Sequence, residues 1–279
     1  MDCVAIDFGG SVTDVVYRRA TGEEILRTEA TVERPTLDDV RRLVAAVEPP
    51  GRPALVAVTG GRSSALSGEL DGVSVVVVDE SEATAAGAVR TGTPVPSVVV
   101  SLGTGTGLVL ARPPEPPQRL IGSGVGGGTL LGLARLLLGT TDVEEIGALV
   151  RAGDPARCDL TVGDIVGRAV GPVRPEATAS HFGRLTRSDG SVERADVAAA
   201  LVRLVGQTAL RLSIDSVITH RASGIVLVGH VLDIPGFRES ILATPGVDAS
   251  FVHMPSDPGF AVARGALDVA LASRSDLAG

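Results

Sequence analysis

Lysine and asparagine are absent from this chain, so all 25 of its basic residues other than histidine are arginine. That excludes a phosphate-binding loop of the GxxxxGK[ST] type, a protein-kinase site with its lysine and catalytic-loop asparagine, and any Schiff-base lysine. Tryptophan is also absent and tyrosine occurs once, which leaves almost no stacking surface for single-stranded nucleic acid. The net charge of −8 and pI near 5.1 do not fit the basic stripe of a nucleic-acid binder, so no such partner is expected. The two cysteines, Cys3 and Cys158, form no metal-spaced pair and read as reduced thiols. His181, His220, His230 and His253 are scattered without an HExxH pattern, so a zinc enzyme is not expected. No basic-then-apolar block opens the chain, and no apolar run approaches about 18 residues. The expectation is a cytoplasmic protein without a membrane partner.

What is present is small and apolar. Of 279 residues, 35 are glycine and 17 proline, with aromatics at 2%, a length that suits one large domain or two modest ones. Cys3 to Ile6 and Val12 to Tyr17 read as strands around a turn at Asp7–Ser11. Thr36 to Val47 has the i, i+3, i+4 apolar spacing of a helix. Ala54 to Val58 and Val73 to Val78 are continuous rather than alternating, as buried parallel strands are. Glu80 to Val89 reads as a helix, and TGTPVP at Thr91–Pro96 breaks the pattern.

The opening motif then recurs: a strand at Val98–Leu102, a turn at Gly103–Gly107 and a strand at Leu108–Leu110. A Pro-rich hairpin tip at Arg112–Pro117 and a glycine loop at Gly122–Gly128 follow. Helices are predicted over Thr129–Leu138, Val143–Ala152, Ala195–His220 and Gly259–Arg274, with a strand at Ile225–Val228. The predicted organisation is α/β in two domains, 1–93 and 96–260, with a carboxy-terminal helix at 261–279 packing back on the first.

The two strand–turn–strand segments, CVAIDFGGSVTDVVY and VVVSLGTGTGLVLA, have turns of small residues that leave backbone N–H groups open to phosphate oxygens. Each alone also fits a tight hairpin with glycine at positive φ. Their recurrence, with hydroxyls at Ser11, Thr104 and Thr106, favours a nucleotide. Gly122 to Gly127 spells GxGxxG, yet a dinucleotide fingerprint needs a strand just before it in the first βα unit. The stretch before it is Pro-rich. The helix that follows can accept an anion at its first turn, or the glycines serve close packing.

Together these segments resemble the type II (eukaryote-like) pantothenate kinases of the actin/hexokinase/Hsp70 (ASKHA) superfamily. DFGGS at Asp7–Ser11 is similar to that family's D-x-G-G-T, and VDESEATAAG at Val78–Gly87 to its segment with the catalytic glutamate. SLGTGTG at Ser101–Gly107, RLIGSGVGGGTLLGLARLL at Arg119–Leu137, LTVGDIVG at Leu160–Gly167 and ATASHFG at Ala177–Gly183 follow in the family's order. The resemblance implies two ribonuclease-H-like domains with an ATP cleft between them. By position it implies that Asp7 holds Mg²⁺ through water, and that Gly9, Gly10, Ser11, Gly103, Thr104, Gly105, Thr106, Gly126, Gly127 and Gly128 bind the nucleotide. Glu80 matches the general base and Arg119 the arginine beside the transferring phosphoryl.

Glu80 could otherwise be an acid favouring a helix N-terminus, and Arg119 a solvated arginine. Glu82, two residues on, points about 200° away on a helix. His181 is expected near the base or the adenosine edge. The implied acceptor is pantothenate or a pantetheine-like alcohol, the cofactors ATP and Mg²⁺, the assembly a homodimer, and the regulator CoA or acyl-CoA. Two positions depart from the family. Asp14 stands where many members carry lysine, although hydantoinase-type ASKHA proteins share D-x-G-G-T-x-T-D. Gly107 stands where the kinases carry a serine near the acceptor. The alternatives are a nucleotide- or acyl-CoA-binding regulator without strong turnover, and an ATPase of the hydantoinase or dehydratase-activator type. The activators need clustered cysteines for an iron–sulfur centre, which this chain lacks.

Overall fold

The computed structural model describes residues 1–49, 51–89, 92–187 and 191–277. The chain opens with β1 (Cys3–Phe8), β2 (Val12–Arg18), β3 (Glu24–Ala30), α1 (Leu37–Ala46), β4 (Leu55–Thr59), β5 (Gly68–Leu70), β6 (Val73–Val77) and α2 (Glu80–Ala88). Their strands form one sheet in the order β3-β2-β1-β4-β6-β5. β1, β2 and β3 are antiparallel neighbours, while β4 is parallel to both β1 and β6, as the continuous apolar runs predict. Alternation along β1 serves two helices. Val4, Ile6 and Phe8 pack with Val40 and Leu43 of α1, while Cys3 and Ala5 pack with residues of the last helix.

The second half repeats the plan. It contains β7 (Ser97–Leu102), β8 (Thr106–Ala111), β9 (Gln118–Ser123), α3 (Gly127–Leu138), α4 (Val143–Ala152), β10 (Leu160–Thr161), α5 (Val162–Val166), β11 (Thr178–Ser180), α6 (Arg194–His220), β12 (Gly224–Val228), α7 (Phe237–Leu242) and β13 (Val252–His253). The sheet order β13-β12-β7-β8-β9 has the same senses as β6-β4-β1-β2-β3, antiparallel on one side of the first strand and parallel on the other. Two halves of one topology therefore carry the two small-residue turns at equivalent places. The final helix, α8 (Ala261–Leu277), returns to the first sheet through Val262, Ala263, Ala266, Leu267 and Ala270.

α2 and α8 cross with their backbones in contact. A Cβ at Gly87 would lie 1.8 Å from the Ala261 carbonyl oxygen, and one at Gly265 would lie 1.9 Å from that of Ala83. α2 thus sits against α8 on one side and, through Ala85 and Ala88, against Val99, Val109 and Val226 of the second sheet on the other.

Element bounds differ from the sequence reading mostly at ends. Asp7 and Phe8 belong to β1 rather than to the turn, and α3 starts at Gly127 rather than Thr129. Gly122 and Ser123, read as loop, complete β9. Thr91, the start of the predicted interdomain break, lies outside the described residues, as do the last two positions of the predicted 261–279 helix. α6 is long and apolar enough to cross a membrane by length and composition, but 61% of its most apolar window is buried within the protein, which marks it as the core helix of the second half.

Candidate active site

Parallel strands β1, β4 and β6 point their carboxyl ends the same way, and each end delivers one part of the site. β1 ends in Asp7. β4 ends in the Gly60–Gly61 turn, and β6 leads through Val78 and Asp79 to Glu80 at the start of α2. Gly60 has φ +93°, and a Cβ there would meet Asp7 Oδ1 at 2.6 Å. A Cβ on Gly61 would lie 3.7 Å from Glu80 Oε2. A bare turn thus separates the two carboxylates. The sequence reading missed it, although GG directly after an apolar run was a visible signal.

Burial pushes the Asp7 carboxyl up to about 7, the charges of Asp14 and Glu80 push the same way, and His230 opposes them. The Asp79 carboxylate caps α2, accepting from the Ser81 and Glu82 N–H groups at 2.8 and 3.2 Å. Glu80 is therefore not needed as the capping acid. Its Oε2 lies 3.9 Å from Nη2 of Arg119, which projects from β9. The residues predicted as base and phosphoryl-side arginine thus meet from opposite halves of the chain, both in contact with solvent. Glu82 faces elsewhere: it lines a groove of ≈ 440 Å³ beneath the Pro-rich hairpin tip.

The two small-residue turns close on each other. Ser11 Oγ and Thr104 Oγ1 are 2.7 Å apart, and a Cβ on Gly10 would be only 2.5 Å from Thr104 Oγ1. Of the two turns' glycines, Gly9, Gly10, Gly103 and Gly105 all keep ordinary backbone angles, so at Gly10 close approach, not positive φ, requires the missing side chain. Between the turns lies a cavity of ≈ 210 Å³ lined by Asp7, Gly9, Gly10, Ser11, Gly103, Thr104 and Gly127, among others.

Four expected nucleotide contacts, Gly105, Thr106, Gly126 and Gly128, stand outside this cavity wall. Thr106 is buried and its hydroxyl donates to the Val125 carbonyl at 2.7 Å, holding β8 to the glycine loop. Gly105 and Gly126 pack backbone to backbone, with a Cβ on Gly126 only 2.5 Å from the Gly105 carbonyl carbon, and neither lines the cavity. The first N–H groups of α3 are already engaged. Gly127 N–H donates to the Gly103 carbonyl at 2.8 Å and Gly128 N–H to that of Thr104 at 2.9 Å. Of this glycine triplet only Gly127 reaches the cavity wall, so the triplet lets helix and turn interlock rather than offering free donors to an anion.

The second sheet adds residues that the sequence reading did not select. β12 is followed by Gly229 (φ +111°), where a Cβ would strike the Leu102 carbonyl oxygen at 2.3 Å, and the next residue, His230, enters the cavity. His230 Nε2 lies 2.8 Å from Asp14 Oδ1, and Nδ1 lies 3.0 Å from Asp233 Oδ2. Desolvation alone would lower its pKa, but hydrogen bonds and attraction from Asp14 and Asp233 raise it to about 10. With a carboxylate facing each nitrogen, the protonated ring donates to both Asp14 and Asp233 below that pH. Asp14 is 4% exposed and also accepts from Thr28 Oγ1 at 2.7 Å.

His181 is not at this cleft. It approaches the buried Asp159 at 3.5 Å, as does Arg203. Arg203 lines a separate cavity of ≈ 840 Å³ among α4, α6 and α7, which holds none of the predicted site residues. Cys3 and Cys158 are both buried and unpaired, one in each half.

Known proteins resemble this arrangement. Residues 70–239 match the Fumble family. The type II pantothenate kinase of Bacillus cereus (strain G9842) is 29% identical over 234 residues, covering 82% of this chain and 84% of that one. That of Oceanobacillus iheyensis is 30% identical over 236 residues, covering 83% and 85%. Among solved structures, the activator of the 2-hydroxyisocaproyl-CoA dehydratase from Clostridium difficile, with bound ADPNP, aligns at a TM-score of 0.66 and 15% identity, over 99% of this chain and 98% of that one. A ROK family glucokinase from Streptomyces griseus, in complex with glucose and AMPPNP, aligns at 0.55 and 16% identity over 96% and 99%. These likenesses, with the repeated sheet topology, make the fold the ASKHA type, two ribonuclease-H-like domains around a cleft. With more than half its length matched and relatives aligned over most of theirs, the chain belongs to the Fumble family.

Proposed function

We propose that this protein transfers the γ-phosphoryl group of ATP to the primary alcohol of pantothenate, or of a pantothenate-like alcohol such as pantetheine, the step that opens coenzyme A synthesis. The observation that carries the reading is the meeting of Glu80 and Arg119 beside Asp7 in a chain whose curated relatives are type II pantothenate kinases. Glu80 takes the acceptor hydroxyl's proton as the oxygen attacks phosphorus. Arg119 offsets charge on the equatorial phosphoryl oxygens. Gly9, Gly10, Ser11, Gly103 and Thr104 hold the phosphates from the two turns.

The residues present fit a divalent cation. Asp7 sits desolvated near Asp14 and Glu80; burial first, and then those two charges, raise its pKa, and a bound cation would offset both. Bound with ATP, Mg²⁺ would supply charge neutralisation at the phosphate oxygens, with Asp7 as the residue that would hold it. CoA or an acyl-CoA acts as regulator in this reading.

Asp14 in place of lysine is the feature that favours a nucleotide-binding regulator instead, but its pairing with His230 removes much of that argument. ADP release measured with pantothenate, pantetheine and hexoses as separate acceptors tests the proposal. Turnover with pantothenate or pantetheine is expected. Release with hexoses alone would overturn the acceptor, and ATP binding without release to any acceptor would favour the regulator.

A further inference from the structure

A triphosphate needs positive charge along its path, and this chain has no lysine to supply it. Among the described residues that line the phosphate cavity, the one basic side chain is His230, and two carboxylates, Asp7 and Asp14, share that wall. They are direct partners across the β1–β2 pair. Left bare, Asp14 would present a second negative charge to an anionic ligand. It is not bare. Asp14, His230, Asp233 and Arg238 form a chain of alternating charge, with successive contacts of 2.8, 3.0 and 3.1 Å. It runs from β2 in the first half to α7 in the second, so it also ties the two walls of the cleft together.

The ring at its centre is fixed. Phe260 meets it edge-on with centroids 5.3 Å apart, and a Cβ on Gly259 would lie 2.2 Å from ring atoms. At the far end Arg238 is held by donating from Nε to the Leu232 carbonyl at 2.7 Å. The imidazolium therefore cannot swing away from Asp14 without repacking its surroundings.

We propose that His230 is a positioning residue for nucleotide phosphates: its imidazolium neutralises Asp14 and clamps β2 to the turn after β12, so that the cleft offers the triphosphate one free carboxylate rather than two. This rests on the reading of the cleft as a nucleotide site, not on the identity of the acceptor. It assigns the charge a lysine would carry to a residue 216 positions from Asp14 in sequence. Its test is a comparison of charge states. An unscreened carboxylate beside a polyphosphate in a low-dielectric cleft weakens binding steeply. Removing that carboxylate should then cancel the loss of the imidazolium, because the two residues act as one unit.

The experiment measures Kd for a non-hydrolysable ATP analogue with Mg²⁺, by calorimetry and without acceptor, in four proteins. Each unliganded melting temperature is recorded alongside. His230→Gln is expected to bind at least tenfold more weakly than the unsubstituted protein, and Asp14→Asn at least threefold more tightly. The double variant is expected within threefold of the unsubstituted protein. A ring that only packs would leave the double variant as weak as His230→Gln, and that result overturns the proposal. So does a His230→Gln variant that binds within threefold. Should His230→Gln fail to fold, Asp14→Asn decides alone, since weaker binding there would make Asp14 a ligand rather than a charge to be cancelled. Failure of the unsubstituted protein to bind the analogue overturns the nucleotide reading itself.

Discussion

The Ser11 and Thr104 hydroxyls touch at 2.7 Å across 93 residues of sequence, one from each of two turns that occupy equivalent places in a duplicated topology. Their contact marks where the halves meet and, under the proposed function, where a phosphate oxygen would be received. Each hydroxyl has its partner in the other turn, so a nucleotide gains these donors by parting them. Thr104→Val keeps the shape that packs against Gly10 and Gly128 but removes one hydroxyl. A hydrogen bond to a charged group contributes about 1.5–3 kcal/mol, so ATP·Mg binding should weaken roughly tenfold or more, with the unliganded melting temperature little changed. Equal binding by the variant would place the phosphates elsewhere.

Glu80 and Glu82 share the first turn of α2 and face different spaces, one toward Arg119 and the other toward the Pro-rich hairpin tip. Glu80→Gln keeps size and removes the proton acceptor, so turnover should fall by about 10²-fold or more with nucleotide affinity nearly unchanged. Glu82→Gln should lower turnover by less than about threefold. Similar losses in the two variants would remove Glu80 from the role of base.

How much of this was legible follows from the range of each interaction. Buried parallel strands announce themselves by continuous apolar runs, so β4, β6 and β12 were readable. β3 was not, because its EILRTEA sequence lies at a sheet edge with half-wet side chains, where neither alternation nor a run is required. The capping role of Asp79 is local and could have been read from sequence, and it would have strengthened the case for Glu80. The His230–Asp14 pair could not, since nothing near either residue marks the other. Gly126 and Gly128 were hard to place for a related reason: a bare helix start looks alike whether an anion or a neighbouring carbonyl occupies its donors.

α3 leaves apolar surface that the monomer does not cover. Leu136 is 79% exposed and Leu137 54%, and Val143 at the start of α4 is 43% exposed. Adjacent exposed leucines at a helix end are a mark of an interface, so the homodimer expected from the sequence motifs is proposed to form through this half. Light scattering at micromolar concentration should give twice the 28.3 kDa chain mass. A Leu136→Glu, Leu137→Glu variant should give the chain mass with its fold retained by circular dichroism. A monomer mass for the unsubstituted protein would contradict the assignment.

Two groups in the cleft hold protons that the unfolded chain releases, and both act in the same direction. Desolvation, then Asp14 and Glu80, raise the Asp7 carboxyl from 3.8 to about 7. Asp14 and Asp233 outweigh desolvation and raise His230 from 6.5 to about 10. Wherever the folded state binds more protons than the unfolded one, stability falls as pH rises. For Asp7 that window runs from about pH 4 to 7. The His230 contribution is complete below about pH 6.5 and lost as pH climbs through about 10. Without nucleotide, the melting temperature should therefore decline steadily between pH 5 and 9. Asp7→Asn should flatten the acid part of that decline, and His230→Gln the alkaline part. ATP with Mg²⁺ should also flatten the acid part, because a cation at Asp7 favours the carboxylate that burial opposes. A melting temperature that rises across pH 5 to 8 in the unliganded protein would mean that Asp7 is ionised and solvated, and that the two carboxylates do not crowd each other.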